Sequence, residues 1–206
     1  MENFFNLRAE KQEHIISAAM SVFGKNGYKK ASVAEIAEQA GIAKGMINYY
    51  FGSKRNLYVS LIQISGRIML EEMQERYDSS ITDFFDNLKM MIGIKIDVMK
   101  EHPALLSFLT SVGFETHEDV ADEIKKFLVE SFSTREKMIY GGTDVSRFKE
   151  DVDPKLIDKF LVWAAEGFMK SIEDEPDMKK IDEFTAELFK CLDLMKKYFY
   201  NTVDAC

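Results

Sequence analysis

The residues best suited to do chemistry lie between Ser32 and Lys54, in the run SVAEIAEQAGIAKGMINYYFGSK. Ser32 with Glu35 three residues later reads as a capping box, the hydroxyl taking an orphan backbone N–H and the carboxylate reaching back. Ile36, Ala37 and Ala40 share one helical face, and Gly41 can end that helix in a left-handed conformation without strain. Ile42 returns to the core. A second short helix is predicted over about Lys44–Tyr50, with Ile47 and Phe51 as inward anchors. Lys44, Gly45, Met46, Asn48 and Tyr49 then remain outside. Such a set suits a DNA duplex, since Lys supplies charge, Asn can pair bidentately with adenine, and Gly lets a backbone approach closely. Gly52-Ser53-Lys54 closes the unit: Ser53 can cap the next helix, whose N-terminal amides and Lys54 together suit a phosphate. The plain alternative for this spacing is an ordinary corner between two helices.

The residues go further than spacing. The helix ending Ala18-Ala19-Met20-Ser21-Val22-Phe23-Gly24 is followed by Gly27-Tyr28, Ser32-Val33-Ala34-Glu35-Ile36-Ala37, Gly41-Ile42-Ala43-Lys44-Gly45 and Tyr50-Phe51-Gly52-Ser53-Lys54. On these residues, from Arg8 through Leu57, the chain resembles the tetracycline-repressor (TetR) family of bacterial transcription regulators. The resemblance implies a recognition helix at Lys44–Tyr50. Its DNA contacts would come from Ala43, Lys44, Gly45, Met46, Asn48 and Tyr49, with Lys54 gripping a phosphate; Ser32 is counted with the same set. Three positions depart from the usual pattern. Ala43 replaces a frequent Ser, Met46 a common Thr and Asn48 a common Tyr, so an operator cannot be copied from a relative. Met46 is suited to a thymine methyl. Tyr50 and Phe51 flank the inward face and read as core.

Charge agrees with a DNA-facing head. Residues 1–60 hold eight Lys/Arg against five Glu, a net +3, whereas the whole chain is −8, which leaves −11 on residues 61–206. An acidic body would repel DNA and orient the molecule on approach. With 206 residues, 46% hydrophobic content, three prolines and eleven glycines, the chain is predicted to be all-α, with about nine helices. The expected division is a three-helix DNA-binding domain at 1–53 and a helical ligand-binding and dimerisation domain at 54–206. No apolar run reaches membrane-spanning length, and Met1–Glu13 is too polar for a signal peptide, so a cytoplasmic protein is expected. Cys191 lies in a helical pattern and Cys206 ends the chain, which speaks against a structural disulfide.

Past Lys54 the period stays near 3.6. Helices are expected at about 54–76, over a stripe from Ile81 to Met99, at 104–112, at 118–138 with Thr116 and Asp119 as a capping pair, at 154–172 and at 178–200. Gly141-Gly142-Thr143-Asp144 is the most loop-like stretch. The run Phe160–Met169 is apolar nearly all the way round, so it needs cover on two sides. Together with the last helix it is expected to form a dimer interface, through Trp163, Ala164, Gly167, Phe168, Leu188, Cys191, Leu192 and Met195. The family resemblance implies the same homodimer, and a small-molecule effector bound inside the larger domain. Phe85, Met91, Phe108, Phe127 and Trp163 are the candidate pocket residues, although apolar residues of this kind also serve as plain core.

Catalysis has no support in the sequence. His14, His102 and His117 stand apart from one another and from both cysteines, so neither a metal site nor a cofactor is expected. The leading expectation is a homodimeric repressor that binds double-stranded DNA and is released by a largely apolar or aromatic ligand. Two alternatives stay open: a DNA-binding architectural or protein-partnered factor without an effector, and a helical dimer that has lost DNA affinity.

Overall fold

A computed structural model describes residues 2–171 and 177–201. Among these the chain forms ten α-helices: α1 (Glu2–Phe5), α2 (Ala9–Lys30), α3 (Val33–Gln39), α4 (Lys44–Phe51), α5 (Lys54–Arg76), α6 (Phe84–Glu101), α7 (Pro103–Phe114), α8 (Glu118–Tyr140), α9 (Pro154–Ser171) and α10 (Met178–Phe199). A 3-10 turn covers Val145–Arg147, and an isolated antiparallel bridge joins Phe148 to Tyr200. The all-α expectation holds. Helix α1 and the 3-10 turn were not foreseen, being too short to carry a period. The chain packs as two compact units: Met1–Gln74 with Asp97–Ser133, and Glu75–Ile96 with Thr134–Cys206.

In the first unit α2 runs against α7 at a distance that only glycine permits. A Cβ on Gly24 would stand 2.2 Å from Ser107 Oγ and 2.7 Å from the Ser107 carbonyl carbon. Phe23, Tyr58 and Phe108 are fully buried. Their rings meet edge-on or tilted, Phe23 to Tyr58 at 4.9 Å and Tyr58 to Phe108 at 5.3 Å. Rings at these angles add electrostatic attraction to the area they bury. Ile15, Ile36, Ile47, Leu57 and Leu61 complete a core that fastens α2, α3, α4 and α5 to one another. The predicted cap of α8 is replaced. Thr116 and Asp119 do not pair; instead Glu115 accepts from the backbone N–H of Thr116 (3.0 Å) and His117 (2.9 Å), and His117 Nδ1 accepts from that of Asp119 (3.3 Å).

The second unit centres on an aromatic cluster of Phe84, Phe85, Phe148 and Tyr200, with Phe148 and Tyr200 4.8 Å apart. Asp83 caps α6 by accepting from the N–H of Phe85 and Asp86, each at 3.1 Å. That cap starts the helix at Phe84 and leaves Ile81 outside it, where the apolar stripe had pointed to an earlier start. Asp83 also pairs with Arg147 and with Lys196 at 3.2 Å, and Lys196 reaches Asp86 at 2.7 Å. Burial pushes the Asp83 carboxyl up, but the Asp86 N–H, Lys196 and Arg147 together hold it below the usual carboxylate range. Helix α9 is described to Ser171; Ile172 and Cys206 lie outside the described residues.

Candidate nucleic-acid interface

The helix-turn-helix is assembled from local signals. Ser32 caps α3, its Oγ accepting from the N–H of Ala34 at 3.2 Å. Glu35 does not reach back to close the capping box. Its carboxylate accepts from Asn26 Nδ2 at 3.2 and 3.4 Å, which fastens α3 to α2. Gly41 takes φ +63°, and the N–H of Ile42 returns to the Ala37 carbonyl at 2.9 Å, the closure of a helix end by a left-handed residue. Helix α4 follows with Ala43 as an N-cap that makes no side-chain bond. Gly52 at φ +75° ends it, and Ser53 Oγ then caps α5 through the Asn56 N–H at 3.1 Å.

Two turns of α4 sort its side chains cleanly. Ile47, Tyr50 and Phe51 are buried. Lys44, Gly45, Asn48 and Tyr49 are exposed and Met46 is half-buried, with Tyr49 61% exposed. Ser32 and Ala43 are exposed beside them. Gly45 has no internal reason to be glycine: its φ is not positive, and an added Cβ would meet nothing within 4 Å. The bare backbone there faces open space. Lys54 stands differently from the other candidates. Its ammonium donates to the carbonyls of Lys29 (3.1 Å) and Ala31 (3.0 Å) at the end of α2 and lies 4.8 Å from the centre of the Tyr28 ring. A cation on the last carbonyls of a helix opposes the negative end of its dipole.

A joint that sequence reasoning missed surrounds Tyr28. Gly27 takes φ +67° inside α2 and kinks it, turning the N–H of Tyr28 onto Glu115 Oε2 at 2.7 Å. The Tyr28 hydroxyl donates to Asp119 at 3.3 Å, its ring meets His117 at 5.1 Å, and Arg55 donates to the Asp119 carbonyl at 2.7 Å while pairing with Glu123. Burial, and then the Asp119 carboxylate, push the Tyr28 hydroxyl up from its ordinary value. The joint ties the start of α8 to the end of α2. The pair Gly27-Tyr28 was its only trace in the sequence.

A family model described as bacterial regulatory proteins, tetR family, matches residues 15–61, which span α3, α4 and most of α2. Residues 15–61 are thus a TetR-family segment. The fatty acid metabolism regulator protein of Bacillus subtilis (strain 168) is 26% identical, over 71% of this chain and 75% of the relative. A TetR family transcriptional regulator from Chloroflexus aurantiacus J-10-FL shares the fold at a TM-score of 0.74, with 21% identity and 98% of each chain covered. The regulator FadR from Bacillus subtilis, solved in complex with stearoyl-CoA, aligns at a TM-score of 0.61, with 20% identity over 86% of this chain and 96% of that one. The chain thus carries the DNA-binding helix-turn-helix of a transcriptional regulator, and its relatives are regulators rather than enzymes.

The five candidate pocket residues fall in both units, Phe108 and Phe127 in the first and Phe85, Met91 and Trp163 in the second. Phe108 is core of the first unit, and Phe127 of that unit crowds Gly66, where an added Cβ would stand 2.9 Å from its ring. In the second unit Phe85 belongs to the aromatic cluster, Met91 is buried, and Trp163 is 58% exposed with Lys159 5.0 Å from its ring. Two clefts among the described residues of that unit are lined by other residues. One, of about 390 Å³, lies between α9 and α10 beside the stacked rings of Phe168 and Phe184; the other, of about 420 Å³, follows α8 and includes Tyr140 and Phe148.

The interface candidates divide as well. On α9, Leu156, Phe160, Trp163 and Gly167 form one exposed stripe; on α10, Cys191, Leu194 and Tyr198 form another. Leu192 is fully buried within its own unit and is withdrawn from the expected set, because α10 turns it inward with Ile181. Phe168 stacks on Phe184 at 4.0 Å, and Ala164, Leu188 and Met195 are half-buried. Among the described residues no helix is long and apolar enough to cross a membrane, and no cluster of metal-ligating side chains is present.

Proposed function

We propose that this regulator is a cytoplasmic homodimeric repressor that reads a near-palindromic operator through α4 and leaves it when a small, largely apolar ligand binds. The observation that carries the DNA-reading part is the outward face of α4, where Lys44, Asn48 and Tyr49 project beside a glycine backbone with nothing over it. Ala43, Lys44, Gly45, Met46, Asn48 and Tyr49 would meet the major groove, with Ser32 at its edge. Residues 1–53 would form the reading head and residues 54–206 the ligand-binding and dimerisation body. Lys54 would offer a phosphate whatever donor capacity its two carbonyl partners leave.

The dimer is supported by the two apolar stripes. A run such as Leu156, Phe160 and Trp163 exposed on one helix face is a surface that water disfavours and a second copy can cover. Two-fold symmetry would set the reading heads about 34–36 Å apart, or at a multiple of that. For the ligand, the support is the likeness to regulators of fatty-acid metabolism, one solved with stearoyl-CoA. Because the two clefts described above are lined by other residues, the alternative of a DNA-binding factor without an effector keeps its place. Selection of duplexes from a random-sequence pool, followed by challenge of the complex with stearoyl-CoA, separates these readings. Release at micromolar acyl-CoA supports the ligand-gated repressor, whereas a selected duplex that acyl-CoA never releases supports the factor without that effector.

A further inference from the structure

Helix α4 is eight residues long, too short to hold its shape or direction without tertiary support. Its pose is set by what packs on Ile47, Tyr50 and Phe51. Part of that support comes from α1. Phe4 is fully buried, its ring centre 4.9 Å from that of Phe51 and 6.0 Å from that of Tyr50. Helix α1 is itself only four residues, so it too depends on being held. Gln12 of α2 supplies the clip: its Nε2 donates to the carbonyls of Phe5 (3.2 Å) and Leu7 (2.9 Å), and the N–H of Leu7 closes onto the Phe4 carbonyl at 3.1 Å. One ring is therefore pinned beneath the C-terminal turn of the reading helix.

We infer that Phe4 is a positioning residue for DNA recognition, and that α1 is a buttress under α4. The inference rests on the DNA-reading role proposed above. Hydrogen bonds to base edges tolerate little displacement, while contacts of Lys and Arg with phosphates survive a small tilt. Loss of the ring should thus damage selection between sequences far more than general affinity for DNA.

The test compares wild type with Phe4→Ala and Phe4→Leu in two measurements. The first is amide hydrogen exchange of the free protein; the second is binding to the duplex that wild type enriches from a random pool and to a scrambled duplex. In Phe4→Ala the amides of Ile47 to Phe51 should exchange faster while those of α7 keep their protection. Affinity for the enriched duplex should fall about tenfold with the scrambled duplex and the salt dependence unmoved, because phosphate contacts carry the latter two. Phe4→Leu, which refills most of the volume, should recover most of both, and it carries the test if the alanine variant does not fold. Unchanged exchange in α4, or equal loss on both duplexes, would overturn the inference. Should wild type enrich no duplex at all, the DNA-reading proposal fails, and exchange in α4 alone then decides whether Phe4 holds that helix.

Discussion

Helix α4 and the exposed stripes of α9 and α10 are both surfaces left uncovered within one chain, and they are uncovered in opposite ways. Outward from α4 stand a lysine, an asparagine, a tyrosine and a glycine, polar groups that water already satisfies. Outward from α9 and α10 stand Leu156, Phe160, Trp163, Leu194 and Tyr198, all more than half exposed and mostly apolar. A polar face costs nothing when free and gains only from a partner with matching groups, so it suits reversible reading of many sequences. An apolar face costs free energy whenever it is bare, so it suits a partner that stays. The contrast is the one expected of the proposed regulator, which would commit to its own copy and sample its DNA.

The sharpest way to break this comparison is Trp163→Glu. A charge at the centre of a hydrophobic interface should cost about 2–4 kcal/mol in association, roughly 30- to 1000-fold in the dimer constant, while an exposed site leaves monomer stability nearly unmoved. Light scattering at micromolar concentration should read one subunit instead of two, and a mass equal to wild type would remove α9 from the interface. Next in size is Gly24→Ala, which forces a methyl into Ser107 and should cost about 1–3 kcal/mol, seen as a fall in thermal midpoint. No loss there would mean that α2 and α7 can part freely.

Gly45→Ala sharpens the α4 side of the contrast because its two effects should have opposite signs. Alanine in place of an open helical glycine should add up to about 1 kcal/mol of stability. If DNA approaches the bare backbone, affinity for the enriched duplex should nevertheless fall. A variant that is more stable and binds equally well would take Gly45 off the DNA-facing list.

The smallest effect concerns pH and the second unit. Asp83 is held below its ordinary value, so its contribution is present above the unfolded carboxylate value near 3.9 and is lost as pH falls through the lower folded value. For Lys196, burial lowers the ammonium but its bonds to Asp86 and Asp83 raise it further, so its contribution holds below the unfolded value near 10.4 and is lost as pH rises through the folded one. Thermal midpoints of wild type and Asp83→Asn should therefore differ at neutral pH and converge near pH 2, with shifts on the order of 2–4 °C per kcal/mol. Parallel curves across that range would show that Asp83 contributes nothing through its charge.

Much of the reading helix was legible because its signals are local. Ser32, Gly41 and Ser53 act on backbone groups within a few residues, and Ile47 and Phe51 follow the helical period. What escaped was set at long range. The true partner of Glu35 is Asn26 on another helix, and Glu115 finds the Tyr28 N–H 87 positions away. Helix α1 offered four residues and no period. The candidate pocket was hard to read for a different reason: an aromatic residue that fills a core and one that lines a cavity have the same sequence signature, and only packing separates the buried Phe85 from the exposed Trp163. Leu192 and the adjacent Cys191 differ by one 100° step on α10, and apolarity alone could not say which of them turned inward.

The measurement closest to the central claim is the binding of wild-type protein to the enriched duplex and to its scrambled version across a salt series. A preference of about a thousandfold or more, with affinity falling steeply as salt rises, is the result expected of a dimer reading bases through α4. Weak binding that is equal on the two duplexes at every salt concentration would contradict it.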